Sequence, residues 1–255
     1  FGYEDALFFP SGYQANVGVI STFFEKGDRI CFDKHIHAST VKGIQLSGAD
    51  FFGYRHNSMK HLEKRLERNH PGPSGVVTES LFSMDGDFLE IENYKALKAK
   101  YGFLSIIDEA HAIGAVGEKG RGIARGVADV TVGTFGKTLG LFGAFVLMPK
   151  RFKDYLLNFS SPQIYTTTLP EAHAASAIDL LDIISRSDDK RIRLKEVSRV
   201  MKNRLREESL TVNGDAHIIA LEIGEEGKAA AVSEKLYAKN ILAFPARYPT
   251  VPMGK

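Results

Sequence analysis

The chain has 255 residues, 44% hydrophobic and 25% charged, with a net charge of +2 at pH 7. This is the composition of an ordinary globular protein, and no basic cluster interleaved with aromatics argues for a nucleic-acid partner. The single cysteine, Cys31, excludes an internal disulfide framework and fits a reducing, cytoplasmic setting, and no apolar run approaches the length of a membrane span.

The chain opens on Phe1-Gly2-Tyr3-Glu4 and stops at Pro252-Met253-Gly254-Lys255, which reads as a piece of a longer protein. Pro10-Ser11-Gly12-Tyr13-Gln14-Ala15-Asn16 is a turn entering a helix over 14–24. Free amides at a helix start attract a phosphate, and a plain Ser-Gly cap is the alternative. A strand over 29–33 leads into Asp33-Lys34-His35-Ile36-His37, with two histidines two apart. Residues at that spacing share a face only in a strand, so a metal pair and an imidazole stacked on an aromatic ligand are both open. A helix over 37–46, a strand over 50–54 and a helix over 59–69 follow. The strand over 75–79 ends in Ser80-Leu81-Phe82-Ser83-Met84-Asp85-Gly86-Asp87, a run of turn formers. Either it is a plain loop or it brings the Ser83 hydroxyl to a ligand.

A helix over 91–101 precedes the apolar strand 103–108, which ends on the carboxylate of Asp108. A further strand, Val130-Thr131-Val132, runs into Gly133-Thr134-Phe135-Gly136-Lys137-Thr138-Leu139-Gly140 and on to a strand over 144–148. Strands alternating with helices predict a mostly parallel sheet covered on both faces. Ligands bind such sheets beyond the carboxyl ends of the strands, so Asp108 and Thr134 can face one crevice. After Pro149 longer helices are expected over 170–185 and 189–210; the lysines and arginines of the second read as a solvated face. A strand over 216–223 and a helix over 227–240 suggest a smaller α+β domain. The expected division is 1–186, a large α/β domain, and 187–255, a truncated small domain.

Lys137 carries the most specific chemistry. An amine among small residues can be partly desolvated, its pKa lowered, and it can form a Schiff base with a carbonyl cofactor. A surface lysine in a glycine-rich turn is the alternative. Asp108-Glu109-Ala110-His111 spells a DEAH box, and Gly136-Lys137-Thr138 resembles the end of a phosphate-binding loop. A P-loop would need glycine where Thr131 stands, and it would precede the acidic box. Taken as a set, a phosphate turn, an imidazole, a serine, a strand-end aspartate, a histidine and a Thr-x-x-Lys describe pyridoxal phosphate binding.

Those motifs, with Phe82-Ser83-Met84-Asp85-Gly86-Asp87 and Pro249-Thr250-Val251-Pro252, resemble the α-oxoamine synthases over essentially the whole chain. These are pyridoxal-phosphate enzymes of the aspartate aminotransferase-like fold. The resemblance implies that Lys137 binds the cofactor covalently, Asp108 pairs with the ring nitrogen and His37 stacks on the ring. It implies His111 and Ser83 near the phenolic oxygen. Gly12, Tyr13 and Thr134 would hold the phosphate, and Thr167 would act on the neighbouring subunit's phosphate. Thr250 and Arg247 would meet substrate. The implied catalytic set is Lys137, His37, Asp108 and His111, in a homodimer with shared sites and without a metal. The implied reaction joins an amino acid to an acyl-CoA or acyl-carrier-protein thioester with loss of carbon dioxide. The branch expected is the biotin-pathway one, with L-alanine and pimeloyl-CoA; the glycine- and serine-using branches are the alternative. A non-catalytic partner subunit is a remote one, since Lys137, Asp108 and His111 are all present.

Overall fold

The computed structural model describes residues 1–248, 250, 251, 253 and 254. Pro249 and Pro252 of the Pro249-Thr250-Val251-Pro252 motif, and Lys255, lie outside the described residues. The chain forms two compact units. One comprises Phe1–Phe82 and Phe88–Ile192; the other comprises Ser83–Asp87 and Arg193–Lys255.

The first unit is built on a seven-stranded sheet. Its strands are β1 (Asp5–Phe9), β2 (Arg29–Asp33), β3 (Asp50–Tyr54), β4 (Ser74–Glu79), β5 (Leu104–Asp108), β6 (Val130–Thr134) and β7 (Ala144–Met148). Their order is β1-β7-β6-β5-β4-β2-β3. From β6 to β3 every pairing is parallel, and β7 is antiparallel to both β6 and β1. The expected mostly parallel sheet is therefore what forms. Its central strands read as continuous apolar runs because both faces are covered.

Neighbouring residues of one strand feed opposite cores. Ile30, Val77 and Ile106 pack with Ala15, Val19 and Ile20 of α1 (Gly12–Phe23) and Ile44 of α2 (Ala38–Ser47). Cys31, Val76 and Ile107 pack with Leu62 of α3 (Met59–Leu66) and with Tyr94 and Leu97 of α4 (Ile91–Tyr101). A third cluster joins Phe135, Phe145 and Leu147 to Ala177, which belongs to α7 (Glu171–Ser185). Each fully buried aliphatic or aromatic side chain contributes about 1.5–3 kcal/mol relative to exposure.

Several elements add to those the sequence marks. β1 pairs along β7, from Asp5 opposite Met148 to Phe9 opposite Ala144. α5 (Lys150–Phe159) starts after Pro149 and tucks Phe152 and Leu156, one turn apart, into the first core. A single helical turn, α6 (Ser161–Ile164), precedes α7.

The chain passes to the second unit within α8 (Asp188–Glu207). The expected strand over 216–223 is corrected: the structure has two short antiparallel strands, β8 (Val212–Asn213) and β9 (Ala220–Leu221). Gly214 makes the reversal at φ +112, where a Cβ would stand 2.1 Å from the carbonyl oxygen of Ile218. Helix α9 (Glu226–Tyr237) follows. Among the described residues no helix is long and apolar enough to cross a membrane.

Candidate active site

Adjacent parallel strands end side by side at the crevice. Glu79 closes β4 and stands in register with Asp108, which closes β5. Asp108 also brings β6 alongside through Val132, two residues before Thr134. The Asp108 carboxylate is held at both oxygens. Oδ1 accepts from the amide of Ala110 at 2.8 Å, and Oδ2 accepts from the side-chain amide of Asn16 at 2.7 Å.

Thr134 organises the turn that carries Lys137. Its hydroxyl oxygen accepts from the amide of Gly136 at 3.1 Å and donates to the carbonyl of Gly143 at 3.2 Å. Phe135 bonds back to the same carbonyl, and Gly140 N donates to Lys137 O. In this conformation the Thr134 proton is engaged, so a phosphate contact through it requires the hydroxyl to rotate. Lys137 is solvent-accessible as a residue, while its amine reaches into dense surroundings. Burial lowers its pKa, and this outweighs the opposing attraction of Asp108 and Glu79. An amine poised this way is the nucleophile that a carbonyl cofactor requires.

His37 is the N-cap of α2, not part of a strand, so it and His35 do not share a strand face. His35 stacks on His56, with ring centroids 4.0 Å apart, while His37 Nδ1 lies 2.7 Å from Ser39 Oγ. The backbone amide of His37 donates to Glu79 Oε1 at 2.6 Å, tying α2 to the end of β4.

Ser11 caps α1: its hydroxyl accepts from Gln14 N at 3.2 Å and its carbonyl from Ala15 N at 3.0 Å. The amides of Gly12 and Tyr13 are then the first donors of the helix. A Cβ on Gly12 would meet no atom within 4 Å, and Tyr13 is exposed, so the start of the helix is not covered by side chains there. His111 is half-buried in the turn after β5. Thr167 lies exposed in the segment ahead of α7. Ser83, Arg247 and Thr250 belong to the second unit, where Thr250 N donates to Arg247 O at 2.8 Å. The first unit thus gathers Lys137, Asp108, Thr134, His37 and the first turn of α1.

Three contributors carry no role in the sequence reading: Asn16, Ser39 and Glu79. Each is buried and polar. Asn16 sits one helical turn after Gly12 on a face otherwise made of Ala15, Val19 and Ile20, and that lone polar break was the available signal. Glu109, the second carboxylate of the Asp-Glu-Ala-His run, turns away to a structural task. It accepts from the amides of Ile123 and Ala124, and burial raises its pKa.

The lysine turn also leans on the loop after β5. Gly114 has φ +85, and a Cβ there would fall 2.4 Å from Thr138 Cγ2. Gly114→Ala is expected to displace Thr138 and with it Lys137, costing about 1–3 kcal/mol of stability. Urea unfolding and the efficiency of covalent cofactor labelling check both effects, and an unchanged midpoint contradicts the packing.

The donor set and its geometry fit pyridoxal phosphate: a desolvated lysine amine, a hydrogen-bonded strand-end carboxylate, an imidazole and an open helix start. A mostly parallel sheet with a lysine on the turn after one strand and an aspartate at the end of the next defines a class of protein. Residues 1–254 match the model of the aminotransferase class I and II family, and the chain belongs to that family. An 8-amino-7-oxononanoate synthase of Acidithiobacillus ferrooxidans is 40% identical over 258 residues, covering 98% of this chain and 66% of the relative. A serine palmitoyltransferase from S. paucimobilis, solved with a PLP–myriocin aldimine, superposes with a TM-score of 0.95 at 31% identity over 100% of this chain and 66% of that one. The 8-amino-7-oxononanoate synthase of Francisella tularensis gives a TM-score of 0.83 at 30% identity, covering 97% and 74%. These neighbours bear out the kinship with α-oxoamine synthases. The chain spans between 65% and 68% of the length of the curated relatives matched first.

Proposed function

We propose that the full-length protein is a pyridoxal phosphate-dependent acyltransferase that condenses an amino acid with an acyl thioester and releases carbon dioxide. The observation that carries this reading is the Lys137 amine, its pKa lowered by burial and acted on by the carboxylates of Asp108 and Glu79. The bound cofactor supplies an electron sink for negative charge at the amino acid's α-carbon. Lys137 would hold the cofactor covalently, and its uncharged amine would serve as the base for the substrate's α-proton. Asp108 would pair with the ring nitrogen, His37 would stack on the ring, and the amides of Gly12 and Tyr13, with Thr134, would receive the phosphate. His111 and Ser83 hydrogen-bond the phenolic oxygen. Thr167 serves the partner subunit's site in a homodimer, and Thr250 and Arg247 meet substrate.

The substrate pair proposed is L-alanine and pimeloyl-CoA, or the corresponding carrier-protein thioester, giving 8-amino-7-oxononanoate in biotin synthesis. The identity to 8-amino-7-oxononanoate synthases favours it. The second reading, another α-oxoamine synthase, is favoured by the fit to serine palmitoyltransferase. The test is titration of the cofactor-loaded full-length protein with L-alanine, glycine and L-serine while its visible absorption is recorded. L-Alanine is expected to respond at the lowest concentration. A lower half-saturation for glycine or L-serine rejects the alanine reading, and no response to any of them rejects the enzyme class.

A further inference from the structure

A hydrogen-bonded chain runs from the carboxylate of Asp108 to the imidazole of His37, and its donors can be assigned. Asn16 is 3% exposed and Ser39 fully buried. A carboxylate only accepts, so the Asn16 atom 2.7 Å from Asp108 Oδ2 is the amide nitrogen. Its second proton goes to Ser39 Oγ at 3.0 Å. Ser39 Oγ accepts from Asn16, which leaves its own proton available for His37 Nδ1 at 2.7 Å. The backbone amide of Ser39 also faces Nδ1, at 3.2 Å. An accepting Nδ1 suits both contacts, and it corresponds to the tautomer with the His37 proton on Nε2.

The helices are built for this contact. A Cβ at Gly43 of α2 would stand 3.0 Å from both Asn16 O and Ile20 Cβ. Glycine there lets α2 cross α1 closely enough for Ser39 to reach Asn16. A buried network of this kind is costly if any member is left unpaired, so its geometry is strongly held.

We propose that Asn16 and Ser39 are positioning residues that couple the two cofactor contacts, aiming the Asp108 carboxylate at the ring nitrogen and holding His37 as the Nε2–H tautomer at the ring face. This rests on reading the crevice as a pyridoxal phosphate site. Because α1 also offers the Gly12 and Tyr13 amides, one helix sets the phosphate end, the ring nitrogen and, through Ser39, the stacking imidazole. Asn16 itself is neutral; the charged groups that interact with Asp108 include Glu109 beside it and Lys137 after β6, with Glu79 in register at the end of β4 and the titratable His111 three residues on.

The test uses the full-length protein and two readouts. The first is the pH dependence of the pyridoxal phosphate Kd, measured for wild type, Asn16→Leu and Ser39→Ala by absorption of the reconstituted cofactor. Losing one charge-assisted donor to Asp108 should move the acid limb of binding up by about one to two pH units in Asn16→Leu. Ser39→Ala, which leaves that donor in place, should not move it. The second readout is the ¹⁵N spectrum of histidine-labelled, cofactor-free protein, with the His37 signals assigned by His37→Gln. Wild type should show Nε2–H, and Ser39→Ala should raise the Nδ1–H fraction. An acid limb unmoved in Asn16→Leu beside a lowered Tm would reduce Asn16 to a packing residue and overturn the proposal. So would a wild-type His37 carrying its proton on Nδ1, a result available even if Asn16→Leu does not fold. A wild-type protein that binds no cofactor defeats the underlying functional reading instead, and the tautomer result stands apart from it.

Discussion

Lys137→Ala in the full-length protein is expected to abolish the pyridoxyl label fixed by borohydride and to reduce turnover at least 10²–10⁴-fold, on the order of the loss of a positioned base. The loss is larger than for any neighbour because one amine both anchors the cofactor and moves the proton. A second consequence separates this lysine from a surface one. Its native pKa lies below the ordinary value of 10.5 because burial disfavours the charged amine. Between the lowered native value and 10.5 the unfolded chain binds more protons than the folded one, so this group makes stability rise with pH in that window. Below the window both states are charged and the folded protein carries the full desolvation cost. Lys137→Met should therefore stabilise the cofactor-free protein near neutral pH, with the gain shrinking as pH rises through the window. Urea unfolding across pH checks the sign; a destabilised Lys137→Met or a retained label contradicts the assignment.

Asp108→Asn is the next largest expected loss. The side chain keeps its shape, so Ala110 N can still donate to Oδ1, while the negative charge at the ring nitrogen is gone. The preorganised electrostatic contribution lost is about 10²–10³ in kcat. In addition, the Asn16 amide would face a neutral amide group where it now meets a carboxylate at 2.7 Å. The expected signature is a fall in kcat with covalent labelling at Lys137 preserved. Equal losses of label and turnover would mean that Asp108 serves the fold and not the chemistry.

The sequence alone carried the alternation of strands and helices that dictates a mostly parallel sheet. Largely apolar five-residue runs at 29–33 and 144–148 left little freedom, because each buries both faces. Lys137 on its glycine-flanked turn and Asp108 at a strand end were likewise legible, since both follow from the residue types and the strand-end rule. β1 was not: its short run Asp5-Ala6-Leu7-Phe8-Phe9 becomes a strand only because β7 offers an antiparallel edge. Nor was the hairpin of β8 and β9, which depends on Gly214 at a φ that only the folded turn demands.

Tertiary structure also decided the polar interior of the site. Asn16 and Asp108 are 92 residues apart in the chain, and Asn16 and Ser39 are 23 apart. No local periodicity encodes such pairs; they are selected when α1 and α2 cross at Gly43 against the sheet. Glu109 shows the same limit from the other side, because its neighbour in sequence faces the crevice while it latches Ile123 and Ala124. Composition and period specify which faces are apolar. Which buried polar group answers which depends on the close packing of elements distant in sequence, and that is fixed only when the chain has folded.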